Sequence, residues 1–336
     1  VPKAASSQAS LFEVGEPLVS GSQRETPVQP AAPRPELFEL AKALPTSVRL
    51  GTMSWSYPGW RGIVYAADAD VKKLSQGGLA AYAQHPLLTA VEIDRTYYEP
   101  VPSAALRAYA EQVPASFRFV VKAHELCVVH RFPMHPRYGK RRGEENPLFL
   151  DPAYATENVI LPAVEALGEK LGVVLFQFPP QDVSGAAPFA ERLAVFLRGL
   201  PPGISYAVEL RNRELLDNAY SAALVEAGAV HCHNVWSYLP GVLAQVRMLP
   251  PVTRRPLMVR WLMRQGASYQ TAGERYLPFD RLVDEDLTNR DEIARLVARA
   301  AQHGVSSFVM LDNKAEGCAP ETAVRLARAI AASVPR

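Results

Sequence analysis

The stretch LGVVLFQFPP, residues 171–180, decides the fold. It is a short apolar run, β-branched at Val173 and Val174, interrupted only by Gln177 and closed by Pro179 and Pro180. Such a run, bounded by breakers, reads as a strand buried on both faces, the kind found in parallel sheets covered by helices. Working outward, the same kind of run recurs at 48–52, 90–94, 117–122, 206–210, 229–233, 257–261 and 307–311, with 172–178 the fourth in order. Between the runs lie segments of helical period at 75–84, 103–112, 156–170, 188–198, 215–227 and 290–303, with 320–333 after the last. Pro188 and Pro320 suit a first helical turn, where the missing N–H costs nothing. Gly168, Gly172, Gly228 and Gly304 fall where helices stop and strands begin. Residues 235–251 form the weakest crossover, because Pro240, Gly241 and the pair Pro250–Pro251 break its pattern. Eight alternations of this kind predict an α/β protein, a closed (β/α)8 TIM barrel. An open doubly wound sheet would also alternate, but no GxGxxG follows the first strand.

The N-terminal part reads differently. Residues 1–35 are rich in Pro, Ala, Ser and Gln without sustained periodicity, and are expected to be a disordered, flexible N-terminal extension. Within it Leu11, Phe12 and Val14 form a short apolar patch. In 36–44 Leu37, Leu40, Ala41 and Leu44 share one helical face, and Pro45 ends the run. The expected organisation is therefore a tail over 1–35, a short capping helix within 36–46, and the TIM-barrel domain over 47–336.

Of the 336 residues 48% are apolar and 21% charged, which suits a large packed core and not a disordered or collagen-like chain. Lys plus Arg number 36 and Asp plus Glu 34, so the net charge of +2 does not favour a general nucleic-acid binder. No apolar stretch is long enough for a membrane span. The cysteines, Cys127, Cys232 and Cys318, form no CxxC, and a reducing cytoplasmic location is expected. Val1 stands where a Met would open a chain, which allows for a removed tag or leader.

In such barrels the active site lies at the C-terminal ends of the strands. There the sequence puts Trp55, Tyr57 and Trp60 after strand one, then Glu92, Asp94, Tyr97 and Tyr98 at strand two. Lys122 and His124 end strand three, and Gln177 ends strand four. Glu209 and Arg211 follow on strand five, then His231, His233 and Asn234 on strand six, with Trp236 and Tyr238 beyond. Arg260 and Trp261 end strand seven, and Asp312, Asn313 and Lys314 end strand eight. Leaving a neutral polar group buried without a partner costs roughly 2–7 kcal/mol and a charge more, so their presence at every strand end suggests one shared polar pocket. Strand alternation puts Glu92 with Asp94, Lys122 with His124, Glu209 with Arg211 and His231 with His233 on common faces. If the first of each pair points inward, Glu92, Lys122, Gln177, Glu209 and His231 converge, with Arg260 and Asp312 or Asn313 closing the ring. A structural alternative stays open, in which Lys122 pairs with Glu92 and Glu209 with Arg211.

The motifs GTMSWSYPGWRGIVY, VEIDRTYYEPVP, FRFVVKAHE, LGVVLFQFPP, YAVELRNRELL and LDNKAEGCAPETA occur in the order of the domain of unknown function 72 family, also called YecE-like proteins. The chain resembles that family from Val48 to about Val334. The resemblance implies a TIM barrel but no established activity. It also implies that Glu92, Lys122, Gln177, Glu209, Arg211, Arg260 and Asn313 fall on the family's characteristic polar positions. Two departures stand out: Asp312-Asn313 replaces a frequent Asn-Asn, and Trp261-Leu262 replaces a frequent His-Gly.

Three functional readings follow. The first is a metal-independent enzyme without cofactor, acting on a small polar or anionic ligand such as a sugar, phosphate or nucleotide. Here Lys122, Glu92 and Glu209 are the catalytic candidates, through acid–base chemistry or a Lys122 Schiff base. Arg211 and Arg260 would clamp an anion, and Gln177, His124, His231, Asp312 and Asn313 would bind substrate. Trp55, Tyr57, Trp60, Tyr98 and Trp261 would line the site, with Trp236 a further flat apolar surface, and Gly266 and Gly317 mark loops where barrels often hold phosphate. The second is a divalent-metal hydrolase, isomerase or nuclease using Glu92, Asp94, His124, Glu209, His231, His233 and Asp312, although no HExxH occurs. The third is a nucleic-acid-binding module without turnover. It would use the 125–150 loop, where His130, Arg131, His135, Arg137, Lys140, Arg141 and Arg142 mix with Phe132 and Tyr138. The same loop also suits a lid.

Overall fold

A computed structural model describes residues 27–249 and 255–334. Its strands are β1 (Val48–Thr52), β2 (Leu88–Ile93), β3 (Arg118–Lys122), β4 (Leu171–Phe178), β5 (Tyr206–Leu210), β6 (Val230–Val235), β7 (Leu257–Trp261) and β8 (Ser307–Leu311). They close in chain order into a barrel, and β8 returns beside β1 with Val48 opposite Ser307 and Thr52 opposite Leu311. Every neighbouring pair is parallel, so the barrel has no free edge.

Helices connect the strands on the outside, and several start earlier or later than periodicity alone predicts because of their caps. Asp70 accepts from the Lys73 N–H and opens Val71–Gly77, before the expected 75. Asp217 accepts from Tyr220 and delays the fifth helix to Asn218–Ala227, while Asp286 opens Leu287–Gln302 by accepting from Asn289. The weak sixth crossover holds the short helix Val242–Met248. A further helix, Tyr269–Tyr276, lies between β7 and β8, opened by the Ser268 side chain. Ala186–Arg198 and Ala319–Ser333 carry their prolines near the first turn as expected.

Two apolar layers result. Val120, Val173, Leu175, Ala207, Cys232, Met258 and Met310 fill the barrel interior. A larger layer, including Val121, Val174, Phe176, Val208, Trp261 and Leu311, packs between strands and helices. The helix Pro35–Ala43 buries Leu37, and Arg34 just before it pairs with Glu321 at 3.0 Å on the last helix. The docked part begins earlier than the expected tail boundary. Ala31 donates to the Val64 carbonyl at 2.9 Å and is itself buried, and Gln29 accepts from the Ala66 N–H at 2.9 Å. The remainder of the expected tail, 1–26, lies outside the described residues, as does the patch Leu11, Phe12 and Val14.

Gly51 marks the tightest point of the inner layer. A Cβ there would stand 2.3 Å from the Ala90 carbonyl oxygen and 2.8 Å from Met310 Cε. Gly51→Ala is therefore expected to cost about 1–3 kcal/mol by overpacking. At Gly77 a Cβ meets nothing within 4 Å, and Gly77→Ala should be neutral or gain about 0.5–1 kcal/mol. Urea denaturation of both variants checks the contrast.

Candidate functional site

The centre of the C-terminal half of the barrel is an ionic network built on Arg260 of β7. Its Nε donates to Glu92 Oε2 at 3.0 Å and its Nη2 to Glu92 Oε1 at 2.9 Å, a two-point grip on β2. Its Nη1 donates to Glu209 Oε2 on β5. Glu209 Oε1 in turn accepts from Arg211 Nε at 2.9 Å, and Arg211 Nη2 reaches Gln177 Oε1 at 3.4 Å. The Arg211 guanidinium also lies 4.2 Å from the Trp236 ring. All of these polar side chains are buried. The sequence therefore foretold the Glu209–Arg211 pair, while Lys122 takes a different partner from the one expected.

Lys122 Nζ donates to Asp94 Oδ1 at 2.6 Å and stands 4.2 Å from the Tyr97 ring centroid. The ammonium is almost completely covered, with 2% of its side chain exposed, whereas Asp94 keeps 19%. Above this pair opens a cavity of about 220 Å³. Arg260, Asp312 and Lys314 also reach it, and Tyr57, Tyr98 and Phe279 supply aromatic walls. Asp312 Oδ1 accepts from the Lys314 N–H at 2.8 Å, which shapes the end of β8. Gln177, Arg211, Glu92 and Glu209 do not line the cavity.

The network sets the ionisation of its two glutamates apart. Burial pushes Glu209 up, but the guanidiniums of Arg260 and Arg211 more than reverse this and bring it down to about 2. Burial raises Glu92 to about 7, because Arg260 and Lys122 pull it down less, and Asp94 and Glu209 add their negative charge. One shared guanidinium thus keeps Glu209 ionised and leaves Glu92 close to titration.

Several predicted residues sit elsewhere. His231 faces away from the lumen: Nδ1 meets the Tyr220 hydroxyl at 3.0 Å and Nε2 meets Gln245 Oε1 at 3.1 Å, both on outer helices. The inward positions of β6 are Val230 and Cys232, so the expected phase of this strand is corrected by one residue. Trp261 likewise belongs to the outer layer and is fully buried there, offering no face to a ligand. Trp55 donates its Nε1 to the Leu74 carbonyl at 3.0 Å and packs edge-on against Tyr109. Trp60 is fully buried and donates to Asn313 Oδ1 at 3.1 Å; the same oxygen accepts from Ala319 N–H at 2.8 Å. Trp60 and Asn313 therefore tie the first loop to the start of the last helix instead of closing the ring. His124 is buried against Tyr154, 2.7 Å from its hydroxyl, and does not line the cavity.

The sequence offered Asp94 only as a possible metal ligand and Lys314 only as a strand-end residue, and it gave no sign of Phe279. Asp94 and Lys314 each lie two residues beyond a candidate, Glu92 and Asp312, so alternation carried the signal for both. Phe279 comes from the long β7–β8 connection, where no periodic pattern pointed. In the 125–150 loop, Arg137 bonds to Glu125, Arg131 pairs with Glu145 at 2.9 Å, and Arg141 lies 4.0 Å from the Phe132 ring. Arg137 also stands 5.4 Å from the Tyr98 ring, which brings the loop to the rim of the cavity. Among the described residues no three His, Cys, Asp or Glu side chains gather in a group that could hold a metal ion. No described helix is long and apolar enough to cross a membrane.

The profile of the family described as "Protein of unknown function DUF72" matches residues 49–336. The chain belongs to the DUF72 family. Solved structures share the architecture of this DUF72 protein. A DUF72 family protein of Enterococcus faecalis V583 is 18% identical, with a TM-score of 0.57 over 84% of this chain and 95% of its own. Another, from Thermotoga maritima MSB8, is 19% identical, with a TM-score of 0.54 over 84% and 96%. At these identities the likeness concerns the fold alone. No curated protein matches the chain.

Two predictions follow from the network. Arg260→Met strands two buried carboxylates and should cost about 3–5 kcal/mol in urea denaturation, part of which Glu92→Gln restores in the double variant. The second concerns pH. Burial lowers His85, His124 and His233 to about 4, and burial together with His233 lowers His231 to about 3. The unfolded chain then binds protons that the folded chain refuses, so stability is lost as pH falls from about 6.5 towards 4. Glu92 has the opposite sign, since its raised value favours the folded state at low pH and loses that contribution as pH rises through about 7. Glu92→Gln should accordingly steepen the gain in stability between pH 4.5 and 6.5; an unchanged slope means that Glu92 titrates as an ordinary carboxyl.

Proposed function

We propose that this DUF72 protein is an enzyme acting on a small polar or anionic ligand, of sugar, phosphate or nucleotide type, at the C-terminal face of its barrel. The observation that carries the reading is the buried Lys122–Asp94 pair at the base of a 220 Å³ cavity. In this reading Lys122 is the proton donor. Its ammonium is held in one place by Asp94 and the Tyr97 ring, and it lines the 220 Å³ cavity. Delivering its proton to a departing or developing oxyanion leaves a neutral amine beside Asp94, which regains the proton from solvent through the open mouth. A Schiff-base role requires the neutral amine before the ligand binds, whereas a proton donor starts from the ammonium that pairs with Asp94. Asp312 and Lys314 supply hydrogen-bonding groups at the rim, and Tyr57, Tyr98 and Phe279 offer apolar faces to a ring.

Glu92 and Glu209, candidates for acid–base work from sequence, become positioning residues here: both are spent on Arg260, below the cavity. The arrangement lends the metal-dependent alternative no ligand set, since His231 and His233 face the helix layer and the glutamates are taken by guanidiniums. The nucleic-acid alternative loses support from the loop cations that already have partners within the loop. The three cysteines are free and buried, which suits the cytoplasmic setting included in this proposal.

Calorimetry with a panel of sugar phosphates, nucleotides and small carboxylates tests the reading. Lys122→Ala and Asp94→Asn should unfold cooperatively yet bind the best wild-type ligand about tenfold or more weakly, the scale of one charge-assisted hydrogen bond. Wild-type affinity in folded Lys122→Ala would overturn it.

A further inference from the structure

The opposite end of the barrel carries a feature that the proposed chemistry does not use. A depression of about 480 Å³ opens at the N-terminal mouth, lined by Arg118, Arg255, Glu169 and the serines Ser47, Ser205 and Ser306. Its floor is the Phe308 ring, which occupies the space where Gly172 has no side chain: a Cβ there would stand 2.6 Å from Phe308 Cε1. Arg49 does not line the depression but stands on β1 at the same end of the barrel. It pairs in register with Phe308 on β8, and it lies two residues from Gly51, whose missing Cβ faces Met310 inside the barrel. Arg118 pairs in register with the interior residue Ala90. Partners in a parallel ladder share a face, so both arginines point into the lumen.

Barrel interiors are normally filled by apolar side chains, and two guanidiniums aimed at one mouth repel each other. Arg118 lowers the pKa of Arg49, second to burial. Among the described residues, none of Arg49, Arg118 and Arg255 makes an ion pair. Glu169 is the one carboxylate lining the depression, and among the described residues no ion pair joins it to any of the three. Arg118 Nη1 is anchored to the Ala115 and Phe117 carbonyls at 2.8 and 3.0 Å, which fixes the group without neutralising it. Partly buried guanidiniums without an ion pair among the described residues, one of them anchored, beside three hydroxyl-bearing side chains have the chemistry of an oxyanion receptor.

We propose that the N-terminal mouth binds a phosphate-bearing anion, with Arg118 and Arg255 as the ligands that line it and Arg49 adding positive charge from β1. The site is separate from the Lys122 cavity and does not rest on the function proposed for it. It gives the barrel a second ligand, held where the strands begin.

Calorimetric titration of the full chain with inorganic pyrophosphate, at ionic strength fixed with chloride, tests it. The titration is also run in the Lys122→Ala background, which removes uptake at the other end, and one site should persist there. Arg118→Gln should weaken binding about tenfold or more and Arg49→Gln by less, and the double variant should abolish it. Arg255→Gln, which alters no strand, should weaken binding without lowering the melting temperature and keeps the test valid if the strand variants fail to fold. Titration with ribose 5-phosphate then separates an organic phosphate from a free oxyanion as the better ligand. No binding by wild type, or equal binding by the folded arginine variants, overturns the proposal and leaves these side chains as solvated plugs of the barrel end.

Discussion

One guanidinium, that of Arg260, holds two buried carboxylates from strands that are not its neighbours, and the upper half of the barrel is arranged around it. Taking each ion out of water costs several kcal/mol, so the cluster persists only because nearly every charge is matched and hydrogen-bonded. Glu92 gains both oxygens' worth of contact from Arg260, and Glu209 gains a second partner in Arg211. The result fixes the spacing of β2, β5 and β7 where the barrel changes from apolar filling to polar mouth. It also fixes the floor beneath Lys122 and Asp94.

That constraint divides the polar residues into two groups with different prospects. Those tied to Arg260 have little freedom left to meet a ligand, and their value is rigidity. Lys122, Asp94 and Asp312 stand one layer higher, next to open volume and aromatic walls. The Lys122–Asp94 pair is buried on one side and borders the cavity on the other, which is why the proposed chemistry is placed there and not on the closed Arg260 network.

Much of this was legible in the sequence, and the exceptions have physical causes. The eight apolar runs located every strand, since a strand buried on both faces must be continuously apolar. Inward and outward phase was harder, because such runs carry no alternation to read. On β5 and β7 the charges themselves set the phase, as Glu209 and Arg260 had nowhere to go but the polar lumen. On β6 both choices were chemically reasonable: His231 and His233 found partners in Tyr220, Gln245 and the Leu249 carbonyl, which only the packing of the flanking helices brings to the outer face of the strand. The tryptophans misled in the same way. Trp55, Trp60 and Trp261 cluster at strand ends, but their large apolar surfaces are worth more between strands and helices than beside a wet cavity. Phe279 was invisible because it lies between the helices of the β7–β8 connection, outside the periodic segment 290–303, and only folding brings it opposite Tyr57, with ring centroids 6.0 Å apart.

In the function proposed above, the Lys122–Asp94 pair receives the ligand while the Arg260 network stays closed beneath it. A crystal structure of the protein grown with the tightest-binding small anion addresses this most directly. The account predicts density in the 220 Å³ cavity within hydrogen-bond distance of Lys122 Nζ, with Arg260 still bound to both Glu92 and Glu209. A ligand seated on Arg260 with Glu92 displaced would contradict it, as would a ligand bound outside the cavity.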